Sequence, residues 1–243
     1  MKKIAFRLAA ITACAVLSMA AAPKSTAPAK SPSGGSWART TAMTADGSHR
    51  LGNPEAPIKL VEFVSYTCPH CAHFHKEADP VLRMTMVPKG QISVTVTNFV
   101  RNPVDLTVAM LTNCGDPARF FVRHSAFFAS QDKWLAKAQA TTREQQQRWY
   151  QGEFAARMRA IAGDLGFYDQ TSAWGLTRAQ TDQCLTDKVM LERIKKQQAE
   201  VQALGLEGTP SFTLNGQLLD GHDWQTVSKA IVDKQAELRA GNI

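Results

Sequence analysis

Hydrophobic and polar positions divide the chain into segments of two kinds. Residues 58–65, IKLVEFVS, form a short, β-rich apolar run that predicts a buried strand. Residues 72–78 have helical character and follow a Tyr-Thr-Cys-Pro-His-Cys stretch. Residues 90–100 place Ile92, Val94 and Val96 on one face of an alternating segment, a second strand. Strand, helix and strand in this order make a βαβ unit with a right-handed crossover. Between residues 104 and 205 the spacing becomes helical. Candidate helices cover 104–114, 117–129, 131–138, 145–165 and 178–203, with breaks near Gly115, residues 163–166 and Trp174-Gly175. Strand character returns at 210–214, Asn215-Gly216 signals a tight hairpin, and 217–219 forms the returning strand. A last helix starts after Asp223, a capping residue, and ends near Arg239, ahead of Gly241. The pattern predicts one mixed α/β domain, βαβ…ββα, carrying an all-helical insertion.

Composition adds the compartment. Lys2, Lys3 and Arg7 precede an apolar, uncharged stretch over 8–22, with Ser18 and Ala20 at the −3 and −1 positions of a cleavage site. Residues 1–20 therefore read as a secretory signal peptide, and 8–22 is shorter than the ~20 residues of an ordinary membrane span. Ile11-Thr12-Ala13-Cys14 is the rival lipobox reading, disfavoured because apolar sequence continues beyond Cys14. Residues 21–36, rich in Ala, Pro, Ser, Lys and Gly, read as a flexible linker, so the ordered domain begins between Trp37 and Leu51. Apolar residues at 44% and charged residues at 20% exclude a disordered, collagenous or polytopic membrane chain. The net charge of +7 falls to +4 once the three basic residues of the signal are removed. The remaining basic residues, such as Arg143, Arg148, Arg157, Arg159 and the Lys195-Lys196 pair, are scattered, which argues against a nucleic-acid partner.

The chemistry lies in Cys68-Pro69-His70-Cys71, at a strand-to-helix junction. Such a junction places Cys68 near a helix N-terminus, where free backbone N–H groups and the helix dipole favour a thiolate. Pro69 suits an early helical position because it has no N–H to leave unpaired. His70 supplies a nearby positive charge when protonated and a donor toward the Cys68 sulfur. Both effects lower the thiol pKa from ~8.5, and a folded pKa of ~4 would raise the reduction potential by on the order of 90 mV. Cys71, one turn inside the helix, is the resolving thiol. Glu62 lies on the strand before the motif. Pointing inward, it would exchange protons with Cys71; pointing outward, it would be an ordinary surface residue. A metal site is the competing use of Cys68, Cys71, His73 and His75. Two histidines at i and i+2 on a helix diverge, so no metal ligand is assigned.

The run Val61-Glu62-Phe63-Val64-Ser65-Tyr66-Thr67-Cys68-Pro69-His70-Cys71, followed by Phe74 and by the downstream Gly208-Thr209-Pro210, closely resembles DsbA-type thiol:disulfide oxidoreductases. The resemblance implies a thioredoxin-like fold in two parts, 37–103 and 206–243, separated by a helical insertion over 104–205. It implies that Pro210 is a cis-proline facing the Cys68 sulfur and that Thr209 borders the substrate groove. It also implies a monomeric periplasmic enzyme whose redox group is the Cys68–Cys71 disulfide, with no other cofactor and no stable membrane insertion. Its substrates would be reduced or unfolded exported proteins, and its reoxidant a membrane quinone-linked partner. Thr before the proline also occurs in disulfide isomerases, so oxidase and isomerase or reductase both stay open. A periplasmic metal-binding protein is the reading from another class. With Cys68 and Cys71 assigned to the motif, Cys114 and Cys184 are left to form a structural disulfide, the alternative being two buried free thiols.

Overall fold

The computed structural model describes residues 37–241, so the expected signal peptide and linker lie outside the described residues. Six strands, Thr41–Met43 (β1), His49–Gly52 (β2), Ile58–Val64 (β3), Ile92–Asn98 (β4), Ser211–Leu214 (β5) and Gln217–Leu218 (β6), form one sheet in the order β1-β2-β4-β3-β5-β6. β3 and β4 run parallel and every other pair is antiparallel. The crossover helix between them is α1 (Pro69–Val81), which gives the expected βαβ unit. Its register sets Ile58, Leu60 and Glu62 beside Ile92, Val94 and Val96. Helix α1 lies on the face that carries Glu62, where Phe74 meets the ring of Phe212 from β5.

Strands β1 and β2 go beyond the hydrophobic pattern, which predicts no strand over 41–52. The pairs His49↔Val96 and Leu51↔Val94 show why they form. Backbone bonds to an already built edge, with Leu51 turned into the core, recruit a segment that lacks apolar alternation.

The insertion between β4 and β5 contains Pro103–Thr112 (α2), Phe120–Ala129 (α3), Gln131–Gln139 (α4), Arg143–Tyr150 (α5), Phe154–Leu165 (α6), Phe167–Ser172 (α7), Arg178–Leu185 (α8) and Lys188–Ala203 (α9). Two expected long helices are each divided. The 145–165 segment breaks at Gly152, whose φ of 88° is left-handed. The 178–203 segment breaks at Asp187, whose carboxylate accepts from Val189 and Met190 N–H and so starts a new helix. The additional helix α7 follows Gly166, which caps α6 with a left-handed φ of 78°. Cys114 and Cys184 are bonded, with Cα atoms 5.3 Å apart, and tie the end of α2 to α8.

The β5–β6 turn is the tight hairpin that Asn215-Gly216 predicts, with φ of 50° and 82° at the two positions. Asn215 also accepts from Lys59 N–H at 2.7 Å and donates to the Pro57 carbonyl at 3.0 Å, fastening the hairpin to the start of β3. The chain closes with Trp224–Ala240 (α10), capped by Asp223 accepting from Thr226 N–H. α10 packs against β3, β5 and α1. The fold is thioredoxin-like with a helical insertion, as expected.

Candidate active site

The β3–α1 junction and the approach to β5 meet at one point. Cys68 is the N-cap of α1 with extended backbone (φ −91°, ψ 118°), and Pro69 takes the first helical position. Because β5 runs antiparallel to β3 with Ser211 opposite Phe63, the residues before β5 pass the end of β3. There the Thr209–Pro210 peptide is cis, and the Cys68 thiol donates to the Thr209 carbonyl at 3.1 Å. Cys71 is fully buried one turn into α1, and both cysteines are thiols in this structure.

The two sulfurs sit in opposed environments. The Cys71 thiol, the Thr209 side chain and the backbone N–H groups of Cys71 and His70 lower the Cys68 pKa to about 5, against the opposing effect of burial. Burial, then the neighbouring Cys68 and Glu62, push the Cys71 thiol well above its usual range. At pH 7 Cys68 is therefore thiolate by about a hundredfold, while Cys71 keeps its proton. His70 is exposed, and its backbone N–H is one of the groups that favour the thiolate.

Glu62 points inward. It is buried on β3, its Oε1 has no hydrogen-bond partner, and it lines a cavity of about 20 Å³ with His75, Asp79 and His124, room for one water. Burial, then the charge of Asp79, raises its pKa to about 8. Between pH 4.5 and 8 the unfolded chain has released this proton while the folded protein retains it, so this group lowers stability as pH rises. Glu62→Gln is expected to match the parent near pH 4 and to gain on it by up to about 1.4 kcal/mol per pH unit toward pH 8. Urea unfolding of the two oxidised proteins at pH 5 and pH 8 measures this, and an offset independent of pH contradicts it.

The other two histidines of the motif region diverge. His73 is exposed and pairs with Glu77 at 3.5 Å, whereas His75 packs its ring on Phe128 and edge-on to His124. Among the described residues no cluster of three His, Cys, Asp or Glu is arranged to hold a metal.

Two polar residues at this site escape sequence reasoning. Asp105, buried at the start of α2, accepts from Ser65 Oγ and Tyr66 N–H, each at 2.6 Å, and from Thr67 and Arg101 N–H. Burial raises its pKa to about 6. Gln131, the first residue of α4, donates from one amide nitrogen to the carbonyls of Tyr66 and Cys68 at 2.7 and 2.9 Å. The local signal for Asp105 is only that of a helix start, Asn102-Pro103-Val104-Asp105, and Gln131 has none.

A dithiol at the N-terminus of the helix that follows a core strand, faced by a cis X-Pro peptide, defines the thioredoxin-fold dithiol class. The sequence model of the family described as Thioredoxin matches residues 44–233, and the chain belongs to that family. The crystal structure of a protein-disulfide isomerase from Novosphingobium aromaticivorans is 46% identical, with a TM-score of 0.76, covering 79% of this chain and 98% of that one. Wolbachia pipientis alpha-DsbA1, at 22% identity and a TM-score of 0.61, shares the fold over 80% of this chain and 94% of its own. A Rickettsia prowazekii relative named as a protein-disulfide oxidoreductase is 28% identical over 188 residues, which are 76% of this chain. The chain spans 61% of that relative's length. The expected DsbA-type resemblance is thus borne out.

Proposed function

We propose that this protein is a periplasmic thiol:disulfide oxidoreductase that introduces disulfides into exported proteins through a Cys68–Cys71 disulfide. The observation that carries the reading is the contrast between the two sulfurs: Cys68 lowered to about 5 at a helix N-terminus, Cys71 buried and raised. A substrate thiolate attacks Cys68 of the disulfide. The Cys68–Cys71 bond breaks, and Cys71 leaves as a thiolate that takes the proton held by Glu62. A second substrate thiolate then attacks the substrate sulfur of the mixed disulfide. The substrate gains a disulfide and Cys68 leaves as a stable thiolate. A leaving group of low pKa speeds this last step. The same stabilisation of the reduced form raises the potential by at most about 60 mV relative to an unshifted thiol.

Thr209 and Pro210 border the sulfur, and the backbone beside them is the edge along which an extended substrate would pair. The signal-like residues 1–20 support export, and a membrane quinone-linked protein is the proposed reoxidant. Among the described residues no helix is long and apolar enough to cross a membrane. Cys114–Cys184 is proposed as a structural disulfide that takes no part in exchange.

To test the reading, oxidised protein is mixed with reduced, unfolded ribonuclease and the reaction is quenched with acid. Ribonuclease is expected to gain one disulfide for each Cys68–Cys71 disulfide lost. Unchanged Cys68–Cys71 would refute the proposal. A second reading, isomerase, is favoured by the name of the 46% identical structure. Under it, the reduced protein would reactivate scrambled ribonuclease faster than the oxidised protein oxidises the reduced form.

A further inference from the structure

The loop that carries Cys68 is held from the helical insertion as well as from the sheet. Asp105 grips residues 65–67 through four groups, and Asn102 adds a bond to Thr67 Oγ1 at 2.9 Å. Gln131 goes further and bonds Cys68 itself. Its Nε2 is shared between the Tyr66 and Cys68 carbonyls, 65 and 63 residues away in sequence, and the side chain is almost fully buried. Carbonyl oxygens only accept, so the amide has one workable orientation, with nitrogen toward the loop. The Cys68 carbonyl also accepts from Ala72 N–H at 3.3 Å, the first helical bond of α1. The oxygen of Gln131 has no partner and is buried, so the side chain is placed for what its nitrogen does.

We infer that Gln131 is a positioning residue for the thiol chemistry: its amide fixes the 66–67 and 68–69 peptide planes, so that the Cys68 sulfur meets the N–H groups of His70 and Cys71. The insertion thereby takes part in setting the reactivity of a thiol that lies outside it. The inference rests on Cys68 being the exchanging thiol.

Without the Gln131 amide the leading carbonyl of α1 loses the shorter of its two bonds and keeps only the 3.3 Å bond from Ala72 N–H, so the N–H groups under the sulfur are held less closely in line. The thiolate loses donors while the neutral thiol loses little. Gln131→Met keeps the length of the side chain and removes both donors. Trp134→Phe is the control. It removes the Trp134 Nε1 bond to the Phe127 carbonyl, at 3.2 Å, and loosens α4 without touching the loop.

The experiment titrates the Cys68 thiolate by ultraviolet absorbance and equilibrates the full chain with glutathione buffers. Gln131→Met is expected to raise the Cys68 pKa by about one unit and to move the equilibrium at least about fivefold toward the disulfide. Trp134→Phe is expected to lower the melting temperature and leave both readings in place. Equal shifts in the two variants, or none in Gln131→Met, would overturn the inference. If Gln131→Met does not fold, Gln131→Asn, an amide one methylene too short, is read against the same outcomes. A parent protein that exchanges no disulfide with glutathione would instead refute the proposed function and is recognised before any variant is made.

Discussion

Cys68→Ser is expected to reduce disulfide transfer to a reduced, unfolded protein by at least about a thousandfold, the scale on which loss of a covalent catalytic group is felt. The serine hydroxyl neither forms the disulfide nor leaves as a stable anion. Among the described residues no second thiol stands ready: Cys71 is fully buried and its pKa is raised, and Cys114 is bonded to Cys184. Cys71→Ser should behave differently. Mixed with oxidised glutathione, its Cys68 thiolate displaces one glutathione sulfur as a thiolate, and the mixed disulfide persists for want of a resolving thiol. Mass spectrometry of acid-quenched mixtures separates the two variants. Activity of Cys68→Ser above background, or no adduct on Cys71→Ser, contradicts the assignment of roles.

The second large effect is on stability. The Cys114–Cys184 bond closes a loop with a sequence separation of 70 residues, worth about 4 kcal/mol in the chain-entropy treatment. The paired substitution Cys114→Ala with Cys184→Ala is expected to cost a comparable amount and to lower the melting temperature by roughly 10 °C. Neither cysteine belongs to the β3–α1 junction, so the Cys68 pKa should stay where it is. Urea unfolding together with thiolate titration tests both halves. A cost below about 1 kcal/mol would show that the bond does not staple the insertion.

The strands and helices that carry the dithiol are legible because their signals are local. The IKLVEFVS run, the alternation through Ile92, Val94 and Val96, and Asn215-Gly216 each determine their own conformation. Strands β1 and β2 are not legible, because they form by pairing to β4 rather than by any pattern of their own. The divisions at Gly152 and Asp187 are written in the sequence, as a glycine and a capping aspartate, but helical spacing on both sides conceals them. At the site, the residues of the motif are readable and their surroundings only partly so. The side to which Glu62 turns depends on the register of β3 with β4 and β5. Asp105 and Gln131 act across about 40 and 65 residues, distances over which helical or strand periodicity says nothing.

The most direct test of the central claim is the equilibrium of the Cys68–Cys71 couple with glutathione, read by mass after alkylation of the thiols. A low-pKa Cys68 stabilises the dithiol, so the couple should be half reduced at a potential on the order of 50 mV above that of thioredoxin. A value near that of thioredoxin, about −270 mV, would contradict the account and identify the dithiol as a reductant.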